Sequence, residues 1–300
     1  MADFRIGVVG LPGKWSTEVL ADAVESHTGL RLIIDMQAVS LDLASQTLIY
    51  EGQDICEFDA LIIKKIAGEY SPATLDRLEL LRVAEAKGVR VFSGAEKILR
   101  LIDRLSCSVS LRNAGIPMPE TVVTEDIETA CRTVGNYGEA VFKPLYSTKA
   151  RGMCVIKAAD GEAQVRKAIR KFQNENQMMY IQKKKDLNGQ DFGMVFLGGE
   201  YLGSYARVTG GDSWNTTIHH GGKYMPYEAT PELIELGYRE QLPFKMDFTT
   251  VDVAITEEGP VIFEVSAFGG FRGAKEGIGI DAAGRYADYV MERLGEARGD

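Results

Sequence analysis

An acidic residue interrupts each of two apolar segments near the carboxyl end of this chain. Asp252 lies in the segment 250–255 and Glu264 in the segment 261–265, and the short polar stretch 257–259 joins them. Adjacent antiparallel strands can present two such carboxylates on one face of a sheet. A carboxylate buried without a partner is costly, so acids of this kind usually meet a cation or a metal ion. We therefore predict a Mg²⁺ site on a β-hairpin, with ion pairs to a core arginine as the alternative.

The size and charge of the chain exclude several classes of protein. It has 300 residues, 45% of them hydrophobic, and a formal net charge of -9. At roughly 100–200 residues per domain, we expect two domains or three small ones. The excess of acidic over basic residues argues against a protein that coats nucleic acid, because phosphate binding needs clustered lysine and arginine. Because no apolar run reaches about 18 residues and no basic-then-apolar leader is recognisable, we expect a cytoplasmic protein without membrane contact.

The first 94 residues alternate between short apolar segments and amphipathic ones. Strands are predicted at 4–9, 30–35, 60–64 and 89–92, with helices at about 16–26 and 72–87. This alternation is typical of an open, doubly wound α/β unit. The stretch from Gly7 to Lys14 resembles a P-loop only loosely, because its glycine spacing is short and Trp15 replaces the required hydroxyl. We predict a substrate-binding loop there instead.

The rest of the chain follows a mixed pattern. Helices are predicted at 95–113, 127–134, 162–175 and 281–294, and the segment 269–275 is interpreted as a glycine-rich loop. Strands are predicted at 121–123, 140–143, 155–157, 179–182, 192–196, 201–208, 250–255 and 261–265. Strands dominate toward the end, so this part is predicted to be α+β, within a chain that is α/β overall.

The acidic hairpin resembles the ATP-grasp superfamily, and within it the RimK-like amino-acid ligases. Glu264-Val265-Ser266-Ala267 precedes a glycine-rich segment, and Asp252 stands twelve residues before Glu264. The pattern of the family at this place is Asp … Glu-x-Asn, and all three side chains bind Mg²⁺. Ser266 replaces the asparagine, and a serine hydroxyl is a shorter neutral donor. The chain is most similar to the branch named for the GAK gene system.

The resemblance implies an ATP-grasp fold and covers residues 96–294. It implies an N-terminal Rossmann-like pre-ATP-grasp domain at 1–95 and two α+β subdomains that grip ATP. The central subdomain, at 96–183, would carry a flap, and the C-terminal one, at 184–300, would carry the metal site.

The same resemblance implies which side chains contact ATP. Arg104 replaces a lysine that reaches the α-phosphate, and Lys143 matches a lysine that contacts the α- and β-phosphates. The segment 145–152 corresponds to a flap over the β- and γ-phosphates, and 178–185 to a hinge whose main chain reads adenine. The remaining cofactor-binding candidates are Ser147, Thr148 and Lys149 in the flap, Gln182, Lys183 and Lys184 in the hinge, and Asp191 and Thr217 beyond it.

Two arginines are the catalytic candidates that the resemblance implies. Arg207 aligns with a residue that meets the γ-phosphate or an acyl phosphate, where positive charge favours phosphoryl transfer. Arg272 lies in the segment 269–275, which would cradle the acyl phosphate and the carboxylate of the acceptor. The arginine that the family carries two residues after Asp191 is replaced by Gly193.

The resemblance thus implies a carboxylate–amine ligase that forms an amide bond through an acyl phosphate, with ATP and Mg²⁺ (Mn²⁺ as a substitute). Its partners would be a carboxylate (an amino acid, a peptide or a small metabolite) and an amine, and we expect a homo-oligomer. Two alternatives stay open, namely an ATP-binding regulator or scaffold on the same fold, and an ATP-grasp kinase. Ser266, Lys183 and Gly193 depart from the pattern of the family and keep these alternatives open.

Overall fold

The amino-terminal part of the chain forms a parallel sheet with a small antiparallel sheet inserted into it, in a computed structural model that describes residues 4–148, 150–209, 216 and 222–299. The elements are β1 (Ile6–Val9), α1 (Trp15–Thr28), β2 (Ile33–Ile34), β3 (Ser40–Asp42), β4 (Thr47–Tyr50), β5 (Gln53–Asp54), β6 (Ala60–Ile63), α2 (Pro72–Ala86) and β7 (Arg90–Phe92). The parallel sheet has the order β2-β1-β6-β7. Every residue of β1 and β6 is buried, as expected for strands covered on both faces. The predicted α/β alternation is confirmed.

The strand order of the parallel sheet reverses between β1 and β6. The chain leaves β1 through α1 toward β2 on one side of the sheet order, and leaves β6 through α2 toward β7 on the other. Ligands of open α/β sheets bind where the strand order reverses in this way. The small sheet β3-β4-β5 was not predicted, because its strands have only two to four residues and show no clear alternation.

The middle part of the chain has its own sheet and its own apolar core. Its elements are α3 (Ala95–Ile102), α4 (Arg104–Asn113), β8 (Thr121–Thr124), α5 (Ile127–Tyr137), β9 (Glu139–Lys143), β10 (Cys154–Lys157), α6 (Glu162–Glu175) and β11 (Met179–Lys183). The antiparallel sheet has the order β10-β9-β11-β8. Helices α5 and α6 cover it through a core that includes Phe142 and Phe172, whose rings meet edge to face with centroids 5.4 Å apart.

The single helix predicted at 95–113 is wrong, because the structure has two helices there. Asp103 is extended, with φ -86 and ψ 108, and its carboxylate accepts a hydrogen bond from the N–H of Leu105 at 3.0 Å. An aspartate in this position caps the following helix and ends the preceding one. The interruption sets Arg104 at the first turn of α4, where its N–H donates to the carbonyl of Leu145 at 3.1 Å.

The carboxyl-terminal part of the chain forms a five-stranded antiparallel sheet. Its elements are β12 (Gln190–Leu197), β13 (Glu200–Val208), β14 (Lys223–Tyr227), α7 (Pro231–Gln241), β15 (Phe248–Thr256), β16 (Gly259–Val265), α8 (Phe271–Ile278) and α9 (Ala282–Gly299). The sheet order is β14-β13-β12-β15-β16. Strand β14 and helices α7 and α8 were not predicted, and α9 extends beyond the predicted end at residue 294.

The predicted glycine-rich loop at 269–275 is wrong over most of its length, because α8 begins at Phe271. Glycine disfavours a helix by about 1 kcal/mol, which argued for a loop. The glycines instead make room for Tyr205 on β13. A Cβ at Gly273 would lie 2.2 Å from Cζ of Tyr205, and a Cβ at Gly277 would lie 2.5 Å from its Cβ. Tertiary packing therefore outweighs the intrinsic preference.

Two apolar clusters join the first and third parts of the chain. One contains Val9 and Ile34 together with Met194 and Val251, and the other joins β1 and α1 to Val195, Tyr205 and helices α8 and α9. The middle sheet has a separate cluster. None of the helices in the described residues is long and apolar enough to cross a membrane. The domain boundaries at 95 and 183 stay a prediction.

Candidate functional site

Asp252 and Glu264 lie directly opposite each other on β15 and β16. They are register partners in the antiparallel ladder, beside a bulge between Asp252 and Val253. The side chain of Asp252 is 19% exposed and that of Glu264 is 43% exposed. The predicted pairing of the two acids on one hairpin is therefore confirmed, and the more exposed acid lies on the outer strand.

Arg207 reaches across β12 to the first of these acids. Its guanidinium lies 3.1 Å from a carboxylate oxygen of Asp252. It also makes two hydrogen bonds to Asp191, at 2.9 and 2.5 Å, and the hydroxyl of Thr216 donates to Asp191 at 2.6 Å. Burial opposes the charge on Arg207, but Asp252 and Asp191 together raise its pKa well above the ordinary value. The guanidinium stays charged at every physiological pH.

Arg104 pairs with the second acid. Its Nη1 lies 3.1 Å from Glu264, and its Nε donates to the carbonyl of Pro144 at 3.2 Å. Both predicted metal acids thus pair with an arginine, buried in the case of Arg104 and partly buried in that of Arg207, as in the alternative that the sequence left open. Burial raises the pKa of Asp252 to about 7, against the lowering effect of Arg207 and with a further rise from Glu264. The two carboxylates repel each other, as expected of a site made for an added cation.

Tyr205 fills the space that an arginine at position 193 would need. Gly193 pairs with Asp252 on one side and with Tyr205 on the other. A Cβ at Gly193 would lie 2.4 Å from Cζ of Tyr205 and 2.6 Å from its hydroxyl. The space where the resemblance implies an arginine is therefore occupied by a neutral phenol from the neighbouring strand. No local pattern in the sequence indicated this arrangement.

Lys143 lies buried at the end of β9 beside Gln182 of β11. Its ammonium donates to Oε1 of Gln182 at 2.6 Å and lies 5.0 Å from the ring centroid of Phe263. Burial, followed by the charge of Arg104, lowers the pKa of Lys143 to about 7, and Glu264 partly offsets this. A buried lysine that donates its hydrogen bond to a neutral amide is suited to binding an anionic ligand.

The hinge lysines are paired with acids. Lys183 lies 2.8 Å from Glu120 and Lys184 lies 2.7 Å from Glu139, while Lys185 bridges Glu120 and Glu258. The main-chain N–H groups of Lys183 and Lys184 also donate to the carbonyls of these same two glutamates, at 2.8 and 3.0 Å. These two N–H groups of the hinge are therefore already paired within the middle sheet.

The flap segment contacts the amino-terminal part of the chain. Arg151 donates to the carbonyl of Gly68 at 3.0 Å, pairs with Glu69, and donates to the hydroxyl of Thr148 at 2.7 Å. Among the described residues, Oγ of Ser147 is a buried polar atom without a hydrogen-bond partner. Lys149 and Thr217, both predicted to bind the cofactor, lie outside the described residues.

Arg272 faces Trp15 of the amino-terminal part. Its guanidinium carbon lies 5.3 Å from the indole centroid, Nζ of Lys275 lies 5.4 Å from the same centroid, and Glu276 lies 3.6 Å from Arg272. Sequence reasoning did not single out Lys275, although its spacing from Arg272 on α8 could have suggested it. In the sequence, Trp15 argues against a P-loop but does not indicate a contact with Arg272.

The donor set fits a nucleotide with Mg²⁺. Within the described residues, no group of three or more His, Cys, Asp or Glu side chains is arranged to hold a metal ion alone. Asp252 and Glu264 supply two hard oxygen donors, and Mg²⁺ is commonly bound by one or two carboxylates with phosphate oxygens completing its shell. The unpaired hydroxyl of Ser147 and the buried Lys143 could contact such phosphates.

Comparisons with known proteins support the ATP-grasp resemblance. Tetrahydromethanopterin:alpha-L-glutamate ligase of Methanosarcina acetivorans is 24% identical, over 97% of this chain and 98% of its own length. The ATP-grasp ligase PsnB, solved with a minimal precursor, Mg and ADP, has a TM-score of 0.71 at 19% identity and covers 97% of this chain and 98% of its own. A RimK domain ATP-grasp protein from Sphaerobacter thermophilus has a TM-score of 0.73 at 22% identity, over 95% and 98%.

These likenesses and the acidic hairpin define an ATP-grasp enzyme. The family model of the RimK-like ATP-grasp domain matches residues 102–290, which is more than half of the chain. The chain belongs to the RimK-like ATP-grasp family and is an ATP-dependent carboxylate–amine ligase.

Proposed function

We propose that this ligase activates its carboxylate substrate as an acyl phosphate at the hairpin of β15 and β16, with Mg²⁺ bound by Asp252 and Glu264. The observation that carries the proposal is the direct cross-strand pairing of these two acids, with the buried Arg104 beside Glu264 and the partly buried Arg207 beside Asp252. Ser266 lies two residues after Glu264 and would add a hydroxyl donor directly or through water. Mg²⁺, when bound, would supply positive charge that offsets charge on the phosphates.

The phosphates of ATP would meet the cations of the middle sheet. Lys143 and Arg104 are both buried, at 7% and 8% exposure, and each would gain an anionic partner. Ser147 and Thr148 would contribute hydroxyl groups from the flap, and Lys149 would contribute an ammonium group. Because the N–H groups of Lys183 and Lys184 are already bonded, the hinge would bind adenine through its remaining main-chain groups, with Gln182 holding Lys143 in place.

Arg207 would stabilise the charge that develops as the phosphoryl group moves to the substrate carboxylate. Its guanidinium is fixed by Asp191 at 2.9 and 2.5 Å, so little reorganisation is needed during the reaction. The flap would exclude water from the acyl phosphate, and its contact through Arg151 with Gly68 supports a closed arrangement. Arg272 would bind the acyl phosphate or an anionic group of the acceptor.

L-Glutamate is the first amine substrate to test. Relatives that match almost the whole chain are named as ligases of alpha-L-glutamate, whereas PsnB was solved with a peptide precursor. The carboxylate partner would be an amino acid, a peptide or a small metabolite. We also propose a homo-oligomer in the cytoplasm, where ATP is available, and light scattering on the purified protein tests the oligomeric state.

Release of ADP and phosphate tests the proposal against its alternatives. The purified protein is incubated with Mg-ATP and pools of carboxylates, with and without L-glutamate and other amines. A ligase needs both substrates for release of ADP and phosphate. A kinase needs one substrate and retains the phosphate on it, and a regulator or scaffold releases neither product.

A matched pair of variants tests the metal assignment. Glu264→Gln removes one of the two facing acids and should abolish release. Glu257→Gln changes an exposed acid at the turn of the same hairpin and should leave release unchanged. Full activity of the Glu264→Gln variant would refute the assignment.

A further inference from the structure

Lys64 joins the amino-terminal sheet to the segment that follows the predicted metal strand β16. It lies immediately after β6 and is 5% exposed. Its ammonium donates to the carbonyl of Phe268 and, at 2.6 Å, to the carbonyl of Gly269. It also lies 3.8 Å from the ring centroid of Phe271, so two carbonyls and an aromatic face surround the charge.

The segment that Lys64 holds runs from Ser266 to Arg272. Its other side is fixed to its own sheet, because the hydroxyl of Thr249 donates to the carbonyl of Ser266 at 2.7 Å and the N–H of Gly270 donates to the hydroxyl of Thr250 at 2.6 Å. The backbone at Gly269 has φ +36, and a Cβ there would lie 2.3 Å from the ring of Phe248. The turn is thus packed between the C-terminal sheet and Lys64.

Lys64 itself is anchored beside the end of β1. Its main-chain N–H donates to the carbonyl of Val9, the last residue of β1, at 2.8 Å. Trp15, the first residue of α1, contacts Arg272 at the end of the segment and Lys275 just beyond it. The amino-terminal part of the chain therefore contacts the middle of the segment through Lys64 and its end through Trp15.

The lysine is not explained by stability alone. Burying an ammonium group is costly, whereas its removal leaves two carbonyls without their donor, so the two effects on stability oppose each other. Methionine is unbranched, adapts to irregular apolar space, and would suit the rings of Phe271 and Phe248 around this position. What methionine cannot do is hold two consecutive carbonyls in one orientation.

We propose that Lys64 is a positioning residue of the ligase reaction, which fixes the turn 268–270 and thereby sets the place of Arg272. Ser266 is held separately, by main-chain and side-chain bonds to Thr249 and Thr250. The proposal rests on the proposed function. Lys64 acts on the half of the site where Arg272 would bind the acceptor, and not on the pocket where Lys143 and Arg104 would meet ATP. The amino-terminal part of the chain would thus help to build the catalytic end of the site.

Lys64→Met and Lys97→Met form the matched pair that tests this role. Lys97 also donates across the molecule to a main-chain carbonyl, that of Lys245 at 2.6 Å, but its side chain is 41% exposed and lies away from the turn. The first measurement is amide hydrogen exchange over residues 266–271, which needs no substrate. We expect exchange at least tenfold faster in Lys64→Met than in the wild type, and no change in Lys97→Met.

The second measurement separates positioning from folding. Lys64→Met should unfold in a transition as sharp as that of the wild type, which shows that it is folded, and should bind Mg-ATP with a dissociation constant within twofold of the wild-type value. With the substrate pair that supports ADP release, its kcat/KM for the amine should fall at least tenfold, while the KM for ATP stays unchanged. Lys97→Met should match the wild type in every assay.

Three results would overturn the proposal: unchanged exchange in Lys64→Met, wild-type kcat/KM for the amine despite faster exchange, or an equal loss for ATP and amine. If the wild type releases no ADP with any pair, the proposed function fails instead. The exchange rates then still decide whether Lys64 holds the turn.

Discussion

The guanidinium of Arg207 lies 3.1 Å from the carboxylate of Asp252, although the two residues stand on strands separated by β12. Asp252 thus has a positive partner before any metal ion arrives. A cation that binds to this acid must share it with Arg207, which makes the arginine a determinant of metal affinity as well as of phosphoryl transfer.

Replacement of Arg207 should therefore make the fold dependent on metal. Arg207→Gln leaves the buried Asp191 and the partly buried Asp252 without their shared partner, and loss of one member of a buried ion pair costs up to about 3–5 kcal/mol. We expect a loss of this size in urea unfolding without Mg²⁺, and a partial recovery when Mg²⁺ is added.

Arg293→Gln is the control for that experiment, because Arg293 pairs with Glu296 on the surface of α9 and exposed pairs contribute at most about 1 kcal/mol. Equal stability of Arg207→Gln and the wild type in metal-free buffer would contradict the prediction.

Lys143 should be needed for binding ATP and not for folding. Lys143→Met removes a buried charge whose partner is the neutral side chain of Gln182, so the melting temperature should not fall. Mg-ATP affinity, measured by calorimetry, should drop at least tenfold because a phosphate loses its cation. Lys157→Met, on the exposed edge strand β10, should bind Mg-ATP as the wild type does. Unchanged affinity in Lys143→Met would refute its assignment to the phosphates.

A methyl group on α8 should be harmful where the same change in α9 is helpful. Gly273→Ala places a Cβ 2.2 Å from Tyr205, and overpacking of this kind costs about 1–3 kcal/mol. Gly295→Ala has no atom of the described residues within 4 Å of its Cβ and should gain up to about 1 kcal/mol from helix propensity. Urea unfolding of both variants measures the contrast. A stabilised Gly273→Ala would show that α8 is not packed tightly on Tyr205.

The hinge ion pairs should stabilise the fold only above acidic pH. The hydrogen bond from Lys183, with help from Lys185, lowers the pKa of Glu120 from 4.5 to about 2. A lowered carboxyl pKa stabilises the folded state above the unfolded value and loses this effect as pH falls toward the folded one. Glu120→Gln should therefore be less stable than the wild type at pH 7, and the difference should shrink between about pH 4.5 and pH 2.

The size of this effect should be below about 1 kcal/mol, since Glu120 is half exposed and solvent screens the pair. Unfolding free energies of wild type and variant across this pH range measure it. Glu175→Gln, at the exposed end of α6, is the control and should show no such pH dependence. A difference that grows on acidification would contradict the assigned direction of the pKa shift.

Local patterns predicted much of the fold and part of the site. The continuous apolar runs of β1 and β6 and the acids within β15 and β16 were evident because each depends on neighbours in sequence. That Asp252 and Glu264 face each other follows from their positions on the two strands of one hairpin. Asp103 could have been recognised as a helix cap, but the apolar pattern on both sides favoured one continuous helix.

Contacts between distant parts of the chain could not be predicted. Lys64 meets Gly269 across 205 residues, and nothing in the sequence around Lys64 sets it apart from Lys65. The reach of Arg207 over β12 depends on the order of the strands in the sheet, which the sequence did not specify. Helix α8 was not predicted because its glycines make room for the side chain of Tyr205. Tyr205 lies on β13, far from α8 in the sequence.

The contact of Tyr205 with Gly193 limits the evolutionary routes open to this ligase. An arginine introduced at position 193, as in its relatives' pattern, would collide with the phenol ring, because even a Cβ there would lie 2.4 Å from it. Shortening Tyr205 first would leave a void against Gly193, Gly270, Gly273 and Gly277. Each single step is therefore unfavourable, and acquiring an arginine at position 193 would require both positions to change together.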